Sequence, residues 1–362
     1  MIAVLKKLAL GLGLIALAAA ILLYSDLESR HVNASGPSAS RQVRVAFVQQ
    51  TSTPALDDGV LGALAALKDR GYVDGGRMVL RHYNAQGDIS NANAIAKEVT
   101  TGDFDLISSF STISLQTIAN ANRFATPPRK HVFALVSDPY AVGVGINPNN
   151  HAEHPPYMTG IGSLAPVEDI FRTARKMRPS LKRVGLVWDP GEANSVITTK
   201  IARQVCAKMG IELIEANAES TTLVGEAAGS LLARKIDAIW VSPDLVTTSA
   251  LDVIVAKART ARIPVFTSMP HRDITGALFE MGADYFALGR LAGDLDADVL
   301  DGRNPASVPV ENIMPVRLHI NKTVLANLRE RWDAPEDLLA QANVVIDATG
   351  RHEQNPTLAA AK

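Results

Sequence analysis

Val184-Gly-Leu-Val-Trp-Asp-Pro-Gly-Glu-Ala-Asn-Ser195 begins as a β-branched, apolar strand, passes through a cluster of turn formers, and ends on residues that open a helix. The same order recurs in Val45-Ala-Phe-Val-Gln-Gln-Thr-Ser-Thr-Pro54, Asp105–Thr112, His131–Pro139 and Ala238–Asp244. In a parallel α/β sheet such turns share one edge, at the C-terminal ends of the strands, where helix N-termini aim free N–H groups at a ligand. Two sets, one before and one after residue 160, predict two lobes facing each other across a cleft.

A chain of 362 residues has room for about two domains of ordinary size. A hydrophobic content of 47% supplies a sizeable core, and a formal net charge of −1 gives no electrostatic reason to expect nucleic acid as a partner. Cys206 is the single cysteine, which leaves no disulfide framework and no cysteine-based metal site. Its setting, Val205 to Met209, reads as the buried side of a helix.

The N-terminus has a different composition. Lys6 and Lys7 precede an uninterrupted apolar run, Leu8 to Tyr24, which as a helix would span roughly 25 Å. With the lysines inside, the body would lie outside the cytoplasm, in the periplasm or on the outer face of the cytoplasmic membrane. Ala18-Ala-Ala20 offers small residues for cleavage but lies inside the apolar run, and Val32-Asn-Ala34 is an alternative site rather far downstream, so residues 1–40 read as a signal peptide or, in preference, an uncleaved membrane anchor with Ser35–Ser40 as a flexible tether.

From Arg41 onward strand and helix patterns alternate. Leu56, Val60, Leu64 and Leu67 form one apolar stripe on the first helix, with Pro54 in its first turn and Gly71 at its stop. Tyr140–Tyr157 reads as a loop, Gly143-Val-Gly145 and Gly160-Ile-Gly162 as turns, and Gly276–Gly282 as a short link. Val316–Ile320 reads as a late strand followed by helical segments at Lys322–Arg331 and Pro335–Ala342. Neither glycine pair completes a dinucleotide fingerprint, and no Gly-x-Ser-x-Gly elbow or phosphate loop occurs. His151-Ala-Glu-His154 sits among prolines and asparagines and reads as a solvated loop rather than a metal site.

Pro54-Ala-Leu56, Leu67–Val73, Tyr83-Asn-Ala-Gln-Gly-Asp88, Ser137-Asp-Pro139, Gly191–Ser195, Gly276-Ala-Leu278 and Tyr285 with Leu288-Gly-Arg290 resemble the substrate-binding proteins of ABC importers, in the group that includes tryptophan and tyrosine binders. The resemblance runs from about Arg41 to Asp347. It implies a type I periplasmic binding protein: two Rossmann-like α/β lobes joined by a three-crossover hinge, with no chemistry and no cofactor. Lobe 1 would comprise 41–160 and 283–305, lobe 2 would comprise 161–282 and 306–348, and 349–362 would be a flexible tail. The expected partners are a small-molecule solute, ABC permease subunits and the membrane through the N-terminal segment; the body is expected to be a monomer.

Ligand-binding candidates follow from the strand ends. Ser109, Ser111 and Thr112 offer hydroxyls and N–H groups at a helix start, a seat for a carboxylate, and simple capping is the competing reading. Gln50 and Thr51 share that double reading. Ser137 lies at the next strand end, and Asn194 and Ser195 would close from the opposite lobe. Asp138 and Asp244 are candidate partners for an ammonium, with a turn aspartate as the plainer reading of Asp138. Phe110, Tyr140, Trp188 and Tyr285 could form an aromatic wall. His271 and Arg272 keep a more acidic solute open beside an amino acid.

Two other classes share the two-lobed plan. A repressor would need a basic DNA-binding headpiece where this chain has its apolar run. A two-thiol racemase is excluded by the single cysteine, whereas an Asp/His enzyme stays compatible with the sequence. A ligand sensor with the same fold is the nearest alternative.

Overall fold

A computed structural model describes residues 41–271 and 273–354. The Leu8–Tyr24 run, the tether, Arg272 and the last eight residues lie outside this range. Among the described residues no helix is long and apolar enough to cross a membrane.

The first sheet has the order β11-β5-β4-β3-β1-β2, all parallel. Its strands are β1 (Val43–Gln49), β2 (Met78–Asn84), β3 (Leu106–Phe110), β4 (His131–Val136), β5 (Met158–Gly162) and β11 (Glu311–Asn312). The second has the order β14-β13-β12-β10-β9-β8-β6-β7. It contains β6 (Arg183–Trp188), β7 (Glu212–Asn217), β8 (Ala238–Val241), β9 (Val265–Thr267), β10 (Phe279–Ala283), β12 (Val316–Asn321), β13 (Val344–Asp347) and β14 (Gly350–Glu353). Pairing is parallel from β7 to β10, and β12 then runs antiparallel to β10.

Local sequence explains the first helix, α1 (Pro54–Asp69). Thr53 caps it by accepting the Leu56 N–H at 3.3 Å, Pro54 opens it without a wasted donor, and Gly71 follows its end at a φ of +81°. Leu56, Val60 and Leu67 are buried as the stripe requires. They pack with Leu288, Ala292 and Val299 of α2 (Tyr285–Leu300), so this late helix completes the core of the first lobe. The two helices approach at glycines: a Cβ on Gly289 would run into the backbone oxygen of Gly59, and one on Gly293 into that of Ala63. In the second lobe, Phe171, Trp240, Phe266, Phe279, Leu318 and Trp332 share one core, and Phe266 stacks on Phe279 at 4.9 Å. Burying each large apolar side chain contributes about 1.5–3 kcal/mol. Cys206 lies in this core, and burial pushes its thiol up to about 12.

The chain passes between the sheets three times, after Gly162, after Ala283 and after Asn312. These crossings are tied together: Ile313 N–H donates to Gly162 O at 2.9 Å, and Asp284 N–H donates to Pro315 O at 2.7 Å. Arg317 lies 3.4 Å from Asp284 at the same place.

Several expectations are corrected. Gly160-Ile-Gly162 is part of a buried strand rather than a turn, and its glycines are steric: Cβ atoms there would meet Phe133 and Asn312. Gly276–Gly282 contains β10, which pairs on both sides. The return to the second sheet comes at Val316 rather than 306, because Glu311–Asn312 still pairs with β5. Residues 350–353 form a strand against β13 rather than part of a tail. Lys322–Asn327 is a short 3-10 turn, not a longer helix.

Candidate ligand-binding cleft

Where the strand ends of the two sheets meet lies a narrow cavity of about 50 Å³. The first lobe contributes Ser111, Thr112, Leu135 and Ser137, and the second contributes Asn194, Pro243, Leu245, Thr248 and Met269. Ser163, Tyr285 and Met314 come from the crossings themselves. Every side chain lining it among the described residues is uncharged.

Two backbone features aim this wall. Ser111 adopts φ +130° and ψ 162°, a conformation that L-residues rarely hold. Its hydroxyl accepts the Ser114 N–H at 3.2 Å, capping helix α3 (Thr112–Asn122), and the strained turn places Ser111 and Thr112 on the cavity. In β4 the register against β5 shifts between Phe133 and Val136, a bulge centred on Leu135 at φ +58°. Leu135, with Ser137 two residues on, lines the cavity.

From the second lobe, Asn194 lies in the first turn of α4 (Ala193–Met209), and its Nδ2 donates to Pro243 O at 2.9 Å. Behind this wall sit two acids. Asp244 is fully buried; its Oδ1 accepts the Thr247 N–H at 2.8 Å, and its Oδ2 accepts the hydroxyls of Ser242 at 2.9 Å and Ser195 at 3.3 Å. Burial pushes Asp244 up to about 6. Glu192 caps the short helix α5 (Leu245–Ser249), and burial, then the neighbouring Asp244, push it up to about 8. Hydroxyls, an amide and the N-terminus of α3 therefore make a neutral, hydrogen-bonding seat, with two buried acids one layer behind it.

Of the residues singled out in the sequence, Ser111, Thr112, Ser137, Asn194 and Tyr285 come together on the cavity. Gln50 and Thr51 line a second chamber of the same cleft, which shares Ile113 and Leu245 with the first. The others lie elsewhere. Ser109 is buried and bonded to His131 at 2.8 Å. Ser195 and Asp244 are bonded to each other behind the wall. Asp138 accepts the N–H groups of Tyr140 and Ala141, as a turn aspartate does. The aromatic wall reduces to Tyr285: Phe110 packs on Phe47 at 5.0 Å, Tyr140 stacks on His151 at 4.4 Å, and Trp188 belongs to the second core.

Sequence reasoning missed Thr53, Leu135, Ser163, Thr248, Met269 and Met314. Thr53 had a strand-end signal. Ser163 was hidden by reading β5 as a turn, and nothing in the sequence marks the bulge that turns Leu135. Among the described residues no group of three or more His, Cys, Asp or Glu is placed to hold a metal.

Comparison with known proteins gives a consistent answer. A family model described as ABC transporter substrate binding protein matches residues 44–346. A tyrosine-binding protein of Clostridioides difficile is 27% identical over 290 residues, covering 80% of this chain and 82% of that protein. Among solved structures, a conserved domain protein from Vibrio cholerae aligns with a TM-score of 0.78 and 29% identity, over 84% of this chain and all of that one. A Streptococcus ABC domain in complex with L-Trp aligns with a TM-score of 0.77 at 23% identity, over 84% of this chain and all of that one. A ligand-free, open substrate-binding protein from Clostridium difficile gives 0.61 at 24%, over 82% of this chain and 98% of that one. The family's function is binding rather than catalysis, and the fold is the two-lobed type I plan. The chain thus belongs to the ABC transporter substrate-binding protein family.

Proposed function

We propose that this protein is the extracytoplasmic solute-binding component of an ABC importer, and that it holds a small amino-acid-like or carboxylate solute in the interlobe cavity. One observation carries the reading: an uncharged seat of hydroxyls and helix N–H groups to which both lobes contribute, directly beside the three crossings. The tyrosine-binding and L-Trp-bound relatives support an amino acid. The solute's carboxylate would sit at Ser111, Thr112 and the start of α3, with Asn194 closing from the second lobe. Solute would favour closure because only that state offers contacts from both lobes.

Membrane attachment through Leu8–Tyr24 and delivery to permease subunits complete the proposal. A thermal-shift screen against amino acids and small organic acids tests the binding role, since a solute at 100 times its dissociation constant adds about 2.7 kcal/mol. Hits are then titrated calorimetrically against wild type, Ser137→Ala and Asn194→Ala. We expect a few-fold to about ten-fold weakening with unchanged folding. A screen with no hit, or hits indifferent to both substitutions, removes the reading.

A further inference from the structure

The outer chamber of the cleft differs in chemistry from the inner cavity. Ile113 and Leu245 line both and mark the passage between them. Beyond that passage, Ile89, Pro190 and Val246 add an apolar surface. The acidic residues on the chamber's described lining are Asp189, Glu192 and Glu219, and no lysine, arginine or histidine accompanies them.

The three acids are not equivalent. Glu192 is engaged by the N–H groups of Leu245 and Val246. Asp189 uses Oδ1 to accept the Gly191 N–H at 2.7 Å. Glu219 is exposed at the rim. A further, independent feature is Gln50, which is 1% exposed and lines this chamber, yet its Oε1 has no hydrogen-bond partner. A buried amide oxygen left in this way costs about 1–3 kcal/mol unless a donor reaches it. The chamber therefore offers an apolar path followed by acceptors and negative charge, the complement of a methylene stem with a cationic, donor-rich tip.

We infer that the solute is an amino acid with a cationic side chain, its head group seated in the inner cavity and its stem passing Ile113 and Leu245 to place the cation among Gln50, Asp189 and Glu219. This rests on the amino-acid reading above and deepens it, because the relatives named for a ligand bind tyrosine or hold L-Trp. A tyrosine hydroxyl or a tryptophan indole N–H brings a single donor for Gln50 Oε1, but an aromatic side chain brings no positive charge for the two acids.

Calorimetric titration of the full chain with matched pairs tests the inference: L-arginine against L-citrulline, and L-lysine against L-norleucine, with L-tryptophan and L-tyrosine alongside. Citrulline keeps arginine's length and norleucine lacks only lysine's terminal nitrogen, and both remove the charge. We expect arginine or lysine to bind at least about ten-fold more tightly than its neutral match, and Glu219→Gln and Asp189→Asn each to shrink that ratio several-fold. Glu219 is at the surface, so its variant should melt as wild type does. Neutral or aromatic amino acids binding as tightly as the cationic ones would overturn this inference and leave the amino-acid reading standing. A preference for the cationic partner that survives both substitutions unchanged would overturn the assignment to this chamber. Absence of binding by every amino acid tested would overturn this inference and the amino-acid reading together, leaving a carboxylate solute to the wider screen.

Discussion

Both carboxylate oxygens of Glu192 accept the backbone N–H of Leu245, at 3.0 and 3.1 Å. One of them also takes the Val246 N–H at 3.2 Å. A side chain at the foot of α4 thereby fixes the start of α5, whose Leu245 and Thr248 line the cavity. Burial keeps this acid's pKa near 8, so much of the population is protonated at neutral pH and the cap survives loss of charge.

That relationship predicts an asymmetry between two substitutions. Glu192→Gln retains an acceptor oxygen and should change stability by less than about 1 kcal/mol. Glu192→Ala leaves the α5 N–H groups unsatisfied and should cost about 1–3 kcal/mol, with weaker solute binding. Urea unfolding of both variants distinguishes them; equal losses would mean the cap is unimportant.

A second prediction concerns pH. Asp296 is fully buried in the first lobe without a well-formed hydrogen bond to either oxygen, and burial pushes its pKa up to about 8, offset only in part by Ser108. The folded carboxyl therefore holds its proton far above the unfolded value of about 3.9. Its contribution to stability is fully present below about pH 4, declines as pH rises, and levels off above pH 8. Asp296→Asn should flatten this slope and exceed wild type by a few kcal/mol near pH 8. Parallel pH–stability curves from denaturant melts would refute the assignment if the two proteins kept the same slope.

Ser111 supplies a third. Alanine and glycine both lose the bond to Ser114, but at φ +130° only glycine relieves the strain. Ser111→Ala should therefore be less stable than Ser111→Gly by about 1 kcal/mol or more. Paired thermal melts check the order, and the reverse order would deny the strain.

The α1–α2 contact gives a fourth. Gly289→Ala drives a Cβ into the Gly59 carbonyl, and only backbone movement relieves it, so a loss of about 2–3 kcal/mol is expected. Gly229, inside α6 (Thr221–Leu232), has open space where an alanine methyl would go, with nothing within 4 Å, and Gly229→Ala should gain up to about 1 kcal/mol. Chemical denaturation of the pair reads both signs at once.

The amino-acid sequence by itself determined the two sets of parallel strands and the strand-end position of Ser111, Thr112, Ser137 and Asn194. Continuous apolar runs, caps such as Thr53 and stops such as Gly71 act over a few residues, so they are readable in one dimension. Tertiary structure alone decided what depends on neighbours distant in the chain. Gly160 and Gly162 look like turn residues until Phe133 and Asn312 press against them. Asp244 and Ser195 look like ligand contacts until they are seen to satisfy each other behind the wall. Leu135 enters the cavity only because β4 bulges against β5. Burial and hydrogen-bond satisfaction are properties of the packed chain, and they decide which polar residues at a strand end stay available to a ligand.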